Sequence, residues 1–194
     1  TFELWKPLAT TYMIGIPLQS ATEATALWGA QVNKTTQKVM FSSTTGNWST
    51  PQAFFDRLNW RFGPFDLDPC ADIHNTKCAN FFTEAEDGLN KSWEGFTAFV
   101  NPPYGRGIDQ WIKKAYEESL KEDTRVVMLI PSRTDTKYWH NYVMKAAEIH
   151  LVRGRLKFGK STNSAPFPSA VVVFDNSPHH VRETRPKIFS MEKA

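Results

Sequence analysis

Asn101-Pro102-Pro103-Tyr104 is the stretch whose residue types and order suit a defined chemistry. The exocyclic amine of a nucleobase is a poor nucleophile, because its lone pair is delocalised into the ring. Two acceptors placed on its two N–H bonds favour a pyramidal nitrogen with that lone pair free. The side-chain oxygen of Asn101 and the carbonyl of Pro102 supply such a pair. Tyr104 offers a face on which a base drawn out of a duplex can stack. A rigid loop around a buried aromatic is the plainer alternative, and four residues alone do not separate the two.

Other residues with chemical potential lie upstream. Cys70, His74 and Cys78 form a Cys-x3-His-x3-Cys array. A structural zinc takes four ligands, and a fourth would have to come from Asp68, Asp72 or elsewhere. The expectation is therefore no metal, with both thiols acting as small buried residues. Asp68-Pro69 and Asp87-Gly88 are acidic positions next to turn signals. Asp87 falls between two expected strand ends, a better place for function than Glu84 or Glu86, which read as a solvated loop.

The elements that would hold these residues follow from apolar spacing. Thr97 to Val100 reads as a strand, and Pro102 and Pro103 must end it, since proline has no N–H for the ladder. The tetrapeptide then sits at a strand's C-terminal end, where open α/β sheets place ligands. Thr50 and Pro51 fit the start of a helix whose buried face is Phe54, Phe55, Leu58 and Phe62. Gly63-Pro64 stops it, and Phe65 to Asp68 is a short strand. Asn80 to Thr83 reads as a second. Ile108, Trp111, Ile112, Ala115, Tyr116 and Leu120 mark an amphipathic helix. Its other side, with Lys113, Lys114, Glu117, Glu118 and Lys121, reads as solvated. Strands are expected over Arg125 to Ile130, Glu148 to Val152, Leu156 to Gly159 and Ser169 to Phe174, with a helix over Tyr138 to Ala147. Helices alternating with strands, and two strands close together at the end, predict a mostly parallel sheet with an antiparallel hairpin at one edge.

The length of 194 residues suits one domain with an appendage. Residues 1–45 are apolar without a clean period and read as an irregular arm, 46–176 as the main domain, and 177–194 as a basic tail. The net charge of +3 permits nucleic-acid binding without demanding it. No run is long enough to span a membrane and no secretory signal is evident, so cytoplasmic residence is expected.

The order Ser49-Thr50-Pro51, Asp68-Pro69-Cys70-Ala71, Asp87-Gly88-Leu89, Asn101-Pro102-Pro103-Tyr104 resembles amino-methylating DNA methyltransferases, and most closely the phage-type DNA N6-adenine methyltransferases (phage Dam). Pro131 to Thr136, Tyr138-Trp139-His140, Gly154-Arg155-Leu156 and Pro166 to Ala170 extend the resemblance, which runs from about Trp48 to Phe174. It implies a Rossmann-like, S-adenosyl-L-methionine-dependent methyltransferase fold and transfer of a methyl group to N6 of adenine in double-stranded DNA. A phage or prophage origin would place the protein in a bacterial host cell. The resemblance assigns Trp48, Ser49, Thr50 and Pro51 to the methionine end of the cofactor, with Asp68, Pro69, Cys70 and Ala71 lining it and Asp87 on its adenine. Asn101, Pro102, Pro103 and Tyr104 would hold the target base, with Phe158, Phe167 and Ser169 as its pocket. Arg106, Arg133, Lys160, Arg182 and Arg185 are the expected DNA contacts. One departure stands out: Asp72-Ile73 occupy positions where the family's first motif usually has glycine. Methylation of a protein glutamine amide, of cytosine N4, or DNA binding without catalysis are the competing readings.

Overall fold

The computed structural model describes residues 48–159, 161–177 and 186–193. All belong to the compact unit Thr45–Ala194. The expected N-terminal arm, Lys160, Arg182 and Arg185 lie outside the described residues.

The core is a seven-stranded sheet in the order β2-β1-β3-β4-β6-β5-β7. The strands are β1 (Leu67–Asp68), β2 (Asn80–Phe81), β3 (Thr97–Val100), β4 (Arg125–Pro131), β5 (Glu148–Arg153), β6 (Ser169–Asp175) and β7 (Lys187–Glu192). β1 is parallel to β2 and β3, and β3 to β4. β6 runs antiparallel between β4 and β5. This is a mostly parallel α/β sheet, with an antiparallel pair in place. β7, which the sequence did not suggest, pairs in parallel with β5, outside the pair.

Both faces of the sheet are covered, and this is why the central strands read as unbroken apolar runs. Helix α1 (Gln52–Phe62) lays Phe54, Phe55, Leu58 and Phe62 on one face, against Phe99, Val127, Leu129, Val171 and Val173. Helix α2 (Ile108–Glu118) lays Ile108, Ile112 and Ala115 on the other, against Val100, Val126, Met128 and Ile130. The short helix α3 (Lys137–Asn141) adds Tyr138 and Trp139 to that second face. Full burial of each such side chain is worth about 1.5–3 kcal/mol.

Several expectations need correction. The helix expected over Tyr138 to Ala147 ends at Asn141; a single 3-10 turn, Val143–Lys145, follows, and Ala146 is extended. Leu156 to Gly159 pairs with no strand, although Leu156 and Phe158 are buried. Lys187 to Glu192, expected in a basic tail, is strand β7, held by the Lys187 amide donating to the Ala147 carbonyl at 3.0 Å. Glu118, expected on a solvated face, is 2% exposed. It accepts from Lys114 Nζ at 2.6 Å, Lys121 Nζ at 2.9 Å and the Trp93 amide at 2.7 Å. Burial pushes this carboxyl up, but those bonds outweigh it and hold the group below the usual carboxylate value. Among the described residues, no helix is long and apolar enough to cross a membrane.

Candidate active site

Strand direction gathers the chemistry on one edge of the sheet. Asp68 ends β1, Asn101 follows β3, and Pro131 ends β4. β6 runs the other way, so its first residue, Ser169, pairs with Pro131 at that same edge. β5 is parallel to β4, and the loop leaving its end carries Phe158 and Phe167. This is the carboxyl-end crevice expected of an open α/β sheet.

At the centre is Asn101. Its Nδ2 donates to the Trp48 carbonyl and, at 3.0 Å, to Thr50 Oγ1. Both amide hydrogens are thereby used, which fixes the side chain's orientation. Oδ1 is buried and has no partner among the described residues. A buried acceptor left unsatisfied costs about 1–3 kcal/mol, so such an atom calls for an explanation. The Asn101 backbone amide bonds to the Cys70 sulfur, which ties the loop after β3 to the loop after β1.

A polar pocket opens beside this residue. Trp48, Ser49, Thr50, Asp68, Cys70, Phe99, Asn101 and Pro103 line it, together with Asn75 and Lys77. The first eight were expected from the sequence or lie beside expected residues; Asn75 and Lys77 were not. Both arrive through the loop between β1 and β2, which needs no glycine. Asp72 and Asn75 clasp each other through two hydrogen bonds, Asp72 N to Asn75 Oδ1 at 2.9 Å and Asn75 Nδ2 to Asp72 Oδ2 at 2.5 Å. Asp72 Oδ1 also takes the His74 amide at 2.7 Å. This Asx-type turn does locally what a glycine turn does elsewhere.

Burial raises Asp68 to about 6, against bonds from the Lys77 and Cys70 amides that pull it down. Burial likewise pushes the Cys70 thiol well up and Cys78 to about 12, so neither is a thiolate at neutral pH. Among the described residues, no three His, Cys, Asp or Glu side chains gather to hold a metal.

Four aromatic rings stand next to the pocket. Trp48 and Tyr104 are roughly parallel, with centroids 6.4 Å apart. Phe158 lies edge-on to both, at 5.4 and 5.9 Å. Phe167 does the same, at 5.4 Å from each. The Tyr104 hydroxyl donates to the Leu129 carbonyl at 3.1 Å, and the Ser49 carbonyl accepts from the Gly159 amide at 2.8 Å. The segment before α1 and the loop after β5 are thus bound together around these rings. Trp48, assigned by sequence to the cofactor side, touches both the pocket and the aromatic group.

A family model, DNA N-6-adenine-methyltransferase (Dam), matches residues 37–184. The chain belongs to this family. The DNA N-6-adenine-methyltransferase of Haemophilus phage HP1 (strain HP1c1) is 33% identical over 135 residues, covering 66% of this chain and 78% of the relative. That of Escherichia phage T1 is 33% identical over 103 residues, covering 53% of this chain and 42% of the relative. The activity is that of the family, methyl transfer from a methyl donor to N6 of adenine in DNA.

The remaining expected residues of this methyltransferase fall in three places. Pro51 precedes α1, and Pro69 and Ala71 follow β1 without lining the pocket. Asp87, exposed and in the left-handed conformation (φ 51°), caps a 3-10 turn, Gly88–Asn90, by accepting from the Leu89 amide at 3.2 Å. Its turn packs on the β1 end, because a Cβ on Gly88 would stand 1.9 Å from the Pro69 carbonyl. Arg106 is exposed and Arg133 half-buried, on the loops after β3 and β4.

Proposed function

We propose that the pocket binds S-adenosyl-L-methionine, that the aromatic group receives an adenine extruded from double-stranded DNA, and that Asn101 activates its N6. The carrying observation is the Asn101 amide, with both hydrogens tied down and a buried oxygen open. That oxygen accepts one N6 hydrogen. The Pro102 carbonyl, which takes no hydrogen bond among the described residues, accepts the other. The donor set fits the cofactor: a carboxylate (Asp68), an ammonium (Lys77) and two hydroxyls (Ser49, Thr50) suit a zwitterionic amino-acid end beside the amine site. Bound there, the cofactor supplies an electrophilic methyl group on a sulfonium. Asn101 does not titrate, so the chain contributes orientation and preorganised dipoles rather than a tuned base. The N6 proton leaves to water after transfer. Trp48 and Tyr104 hold the base by stacking, with Phe158 and Phe167 as side walls and Ser169 at the floor. Asp87 would contact the cofactor's adenine, and Arg106 and Arg133 the phosphates, with Lys160, Arg182 and Arg185 as further contacts. The catalytic domain in this reading is residues 46–176 together with strand β7. The phage relatives favour a bacterial cytoplasm as its place of work.

The test is tritium transfer from labelled S-adenosylmethionine to duplex and single-stranded oligonucleotides of the same sequences, with nucleoside analysis of the product. N6-methyladenine made preferentially in duplex supports the reading, and absence of label from that donor sinks it. Thr50 has a distinct expected effect. Thr50→Val removes one of the two acceptors that hold the Asn101 amide, and kcat should fall about tenfold, the worth of one hydrogen bond. Thr50→Ser should restore it; equal rates for Val and Ser would take Thr50 out of the arrangement.

Asp68 gives the site a pH dependence. Between the usual 3.8 and about 6, the folded protein holds a proton that the unfolded chain has released. The free protein therefore loses stability as pH rises through that window. A cationic amino-acid end prefers ionised Asp68, so cofactor affinity should rise through the same window and level off above about 6. Calorimetry from pH 5 to 8 checks this. Asp68→Asn should flatten the profile, and an unchanged profile would remove Asp68 from cofactor binding.

A further inference from the structure

We propose that a basic strip on the segment leaving β5, formed by Arg153, Arg155 and Lys157 with Lys193 beside them, holds phosphates of the DNA duplex and sets its register on the enzyme. This rests on the aromatic group being the site of the target base. The strip lies where the chain keeps its positive charge. Residues 151–168 contain four cations and no acid, a net +4, against +3 for the whole chain, so the rest carries no net positive charge. Burial gives the strip its direction. Val152, Leu156 and Phe158 are buried, while Arg153, Arg155 and Lys157 are exposed. An extended chain puts neighbouring side chains on opposite sides. One side of this segment carries Phe158, which stands 5.4 Å from Trp48 and 5.9 Å from Tyr104 between ring centroids. The opposite side, one residue away, carries Lys157.

Gly154 makes the turn that admits the fourth cation. Its φ is 80°, and a Cβ there would stand 3.4 Å from Lys193 Cδ and 3.5 Å from Lys193 Nζ. The Lys193 side chain, just past β7, therefore lies against the turn between Arg153 and Arg155. The segment is pinned on both sides: the Gly159 amide donates to the Ser49 carbonyl and the Ala165 amide to the Leu156 carbonyl, each at 2.8 Å. Pinned cations can fix a register, which is what phosphate contacts do. Among the described residues, Arg155, Lys157 and Lys193 form no ion pair. Arg153 meets one carboxylate, Glu192 at 3.1 Å, in an exposed pair that is weak and readily exchanged for a phosphate. Cations on alternate residues, about 6.6 Å apart in an extended chain, suit a linear polyanion with a comparable charge repeat. A polynucleotide laid along them brings its bases to Phe158, whereas a lipid surface would make no use of that pocket.

The experiment is fluorescence anisotropy of labelled duplex oligonucleotides with the full chain over a series of salt concentrations. Arg155→Gln combined with Lys157→Gln should make the slope of log affinity against log salt shallower by about two, one for each phosphate contact. The drop should be the same on every sequence, and in turnover the loss should fall on KM for DNA more than on kcat. Arg155→Lys with Lys157→Arg should keep the wild-type slope. So should Lys113→Gln, which removes a half-exposed cation on α2. An unchanged slope in the double glutamine variant overturns the assignment. A drop of about one in Lys113→Gln does so too, since net charge alone would then explain the effect. A loss confined to one sequence would make these residues base readers and overturn it as well. Binding to anionic phospholipid vesicles that the double variant loses, with its DNA slope unchanged, would give the strip to a membrane instead. If the wild type makes N6-methyladenine while the variants keep its slope, only the strip falls. If the wild type neither binds duplex nor methylates it, the reading of the aromatic group falls and the strip with it.

Discussion

Asn101→Ala is expected to lower kcat by about 10²- to 10³-fold, the range for removing one preorganised electrostatic group from a water-poor site. Affinity for S-adenosylmethionine should stay within a few-fold. The asymmetry follows from the geometry. The Asn101 amide spends its hydrogens on the Trp48 carbonyl and Thr50 Oγ1, so the open oxygen is the group left for substrate. Alanine removes that acceptor while leaving Asp68, Lys77 and Ser49 in the pocket. Asn101→Asp is the sharper companion. Its carboxylate keeps acceptors toward N6 but cannot donate to Trp48 and Thr50, so its orientation is lost. Single-turnover kinetics with saturating DNA separates the chemical step from product release. A loss of cofactor affinity equal to the loss of rate would move Asn101 to the cofactor side. Unchanged kcat would end its role as the N6 acceptor.

The centre of the site was legible in the sequence because proline chemistry is local. Pro102 and Pro103 had to end β3, and a strand's end in such a sheet is where ligands sit. β4 and β6 were legible because strands covered on both faces show as unbroken apolar runs. What stayed hidden depends on contacts between distant residues. Lys77 looks like a surface lysine until the Asp72–Asn75 clasp folds its loop back to β1. Glu118 follows Lys113 and Glu117, which are about half exposed, and its burial depends on the Trp93 amide from another segment as well as on Lys114 and Lys121. The segment Leu156 to Gly159 has the alternating burial of a strand, yet it is fixed by turn contacts, including Ala165 N to Leu156 O at 2.8 Å. β7 has only six residues and a partner almost forty positions away in sequence, so no local period marks it.

Trp93→Ala is expected to destabilise the protein by about 3–5 kcal/mol, as for other fully buried aromatic truncations. Trp93 is fully buried within the core cluster under α2. Its ring stacks on Trp111 with centroids 6.2 Å apart, and Lys114 Nζ lies 5.8 Å from the ring centre. Removing it also breaks a polar link. Its Nε1 donates to the Gly88 carbonyl at 2.9 Å, and its backbone amide to Glu118. Gly88 is the residue pressed on the Pro69 carbonyl, so Trp93 clamps the Asp87 turn to the end of β1. The alanine variant keeps the amide bond to Glu118 and loses the packing and the clamp together. Trp93→Phe separates the two: it fills most of the space and deletes Nε1. That variant should lose about 0.5–1.5 kcal/mol, the net worth of one hydrogen bond, since the Gly88 carbonyl still accepts from the Lys91 amide at 3.4 Å. If Asp87 contacts the cofactor, its affinity should also fall through the loosened turn. For a domain of this size, the alanine change should lower Tm by at least about 6 °C. Denaturant titration with an unchanged m value would assign that loss to the native state. A Trp93→Ala protein that melts with the wild type would mean the clamp holds nothing, and Asp87 would then need another support.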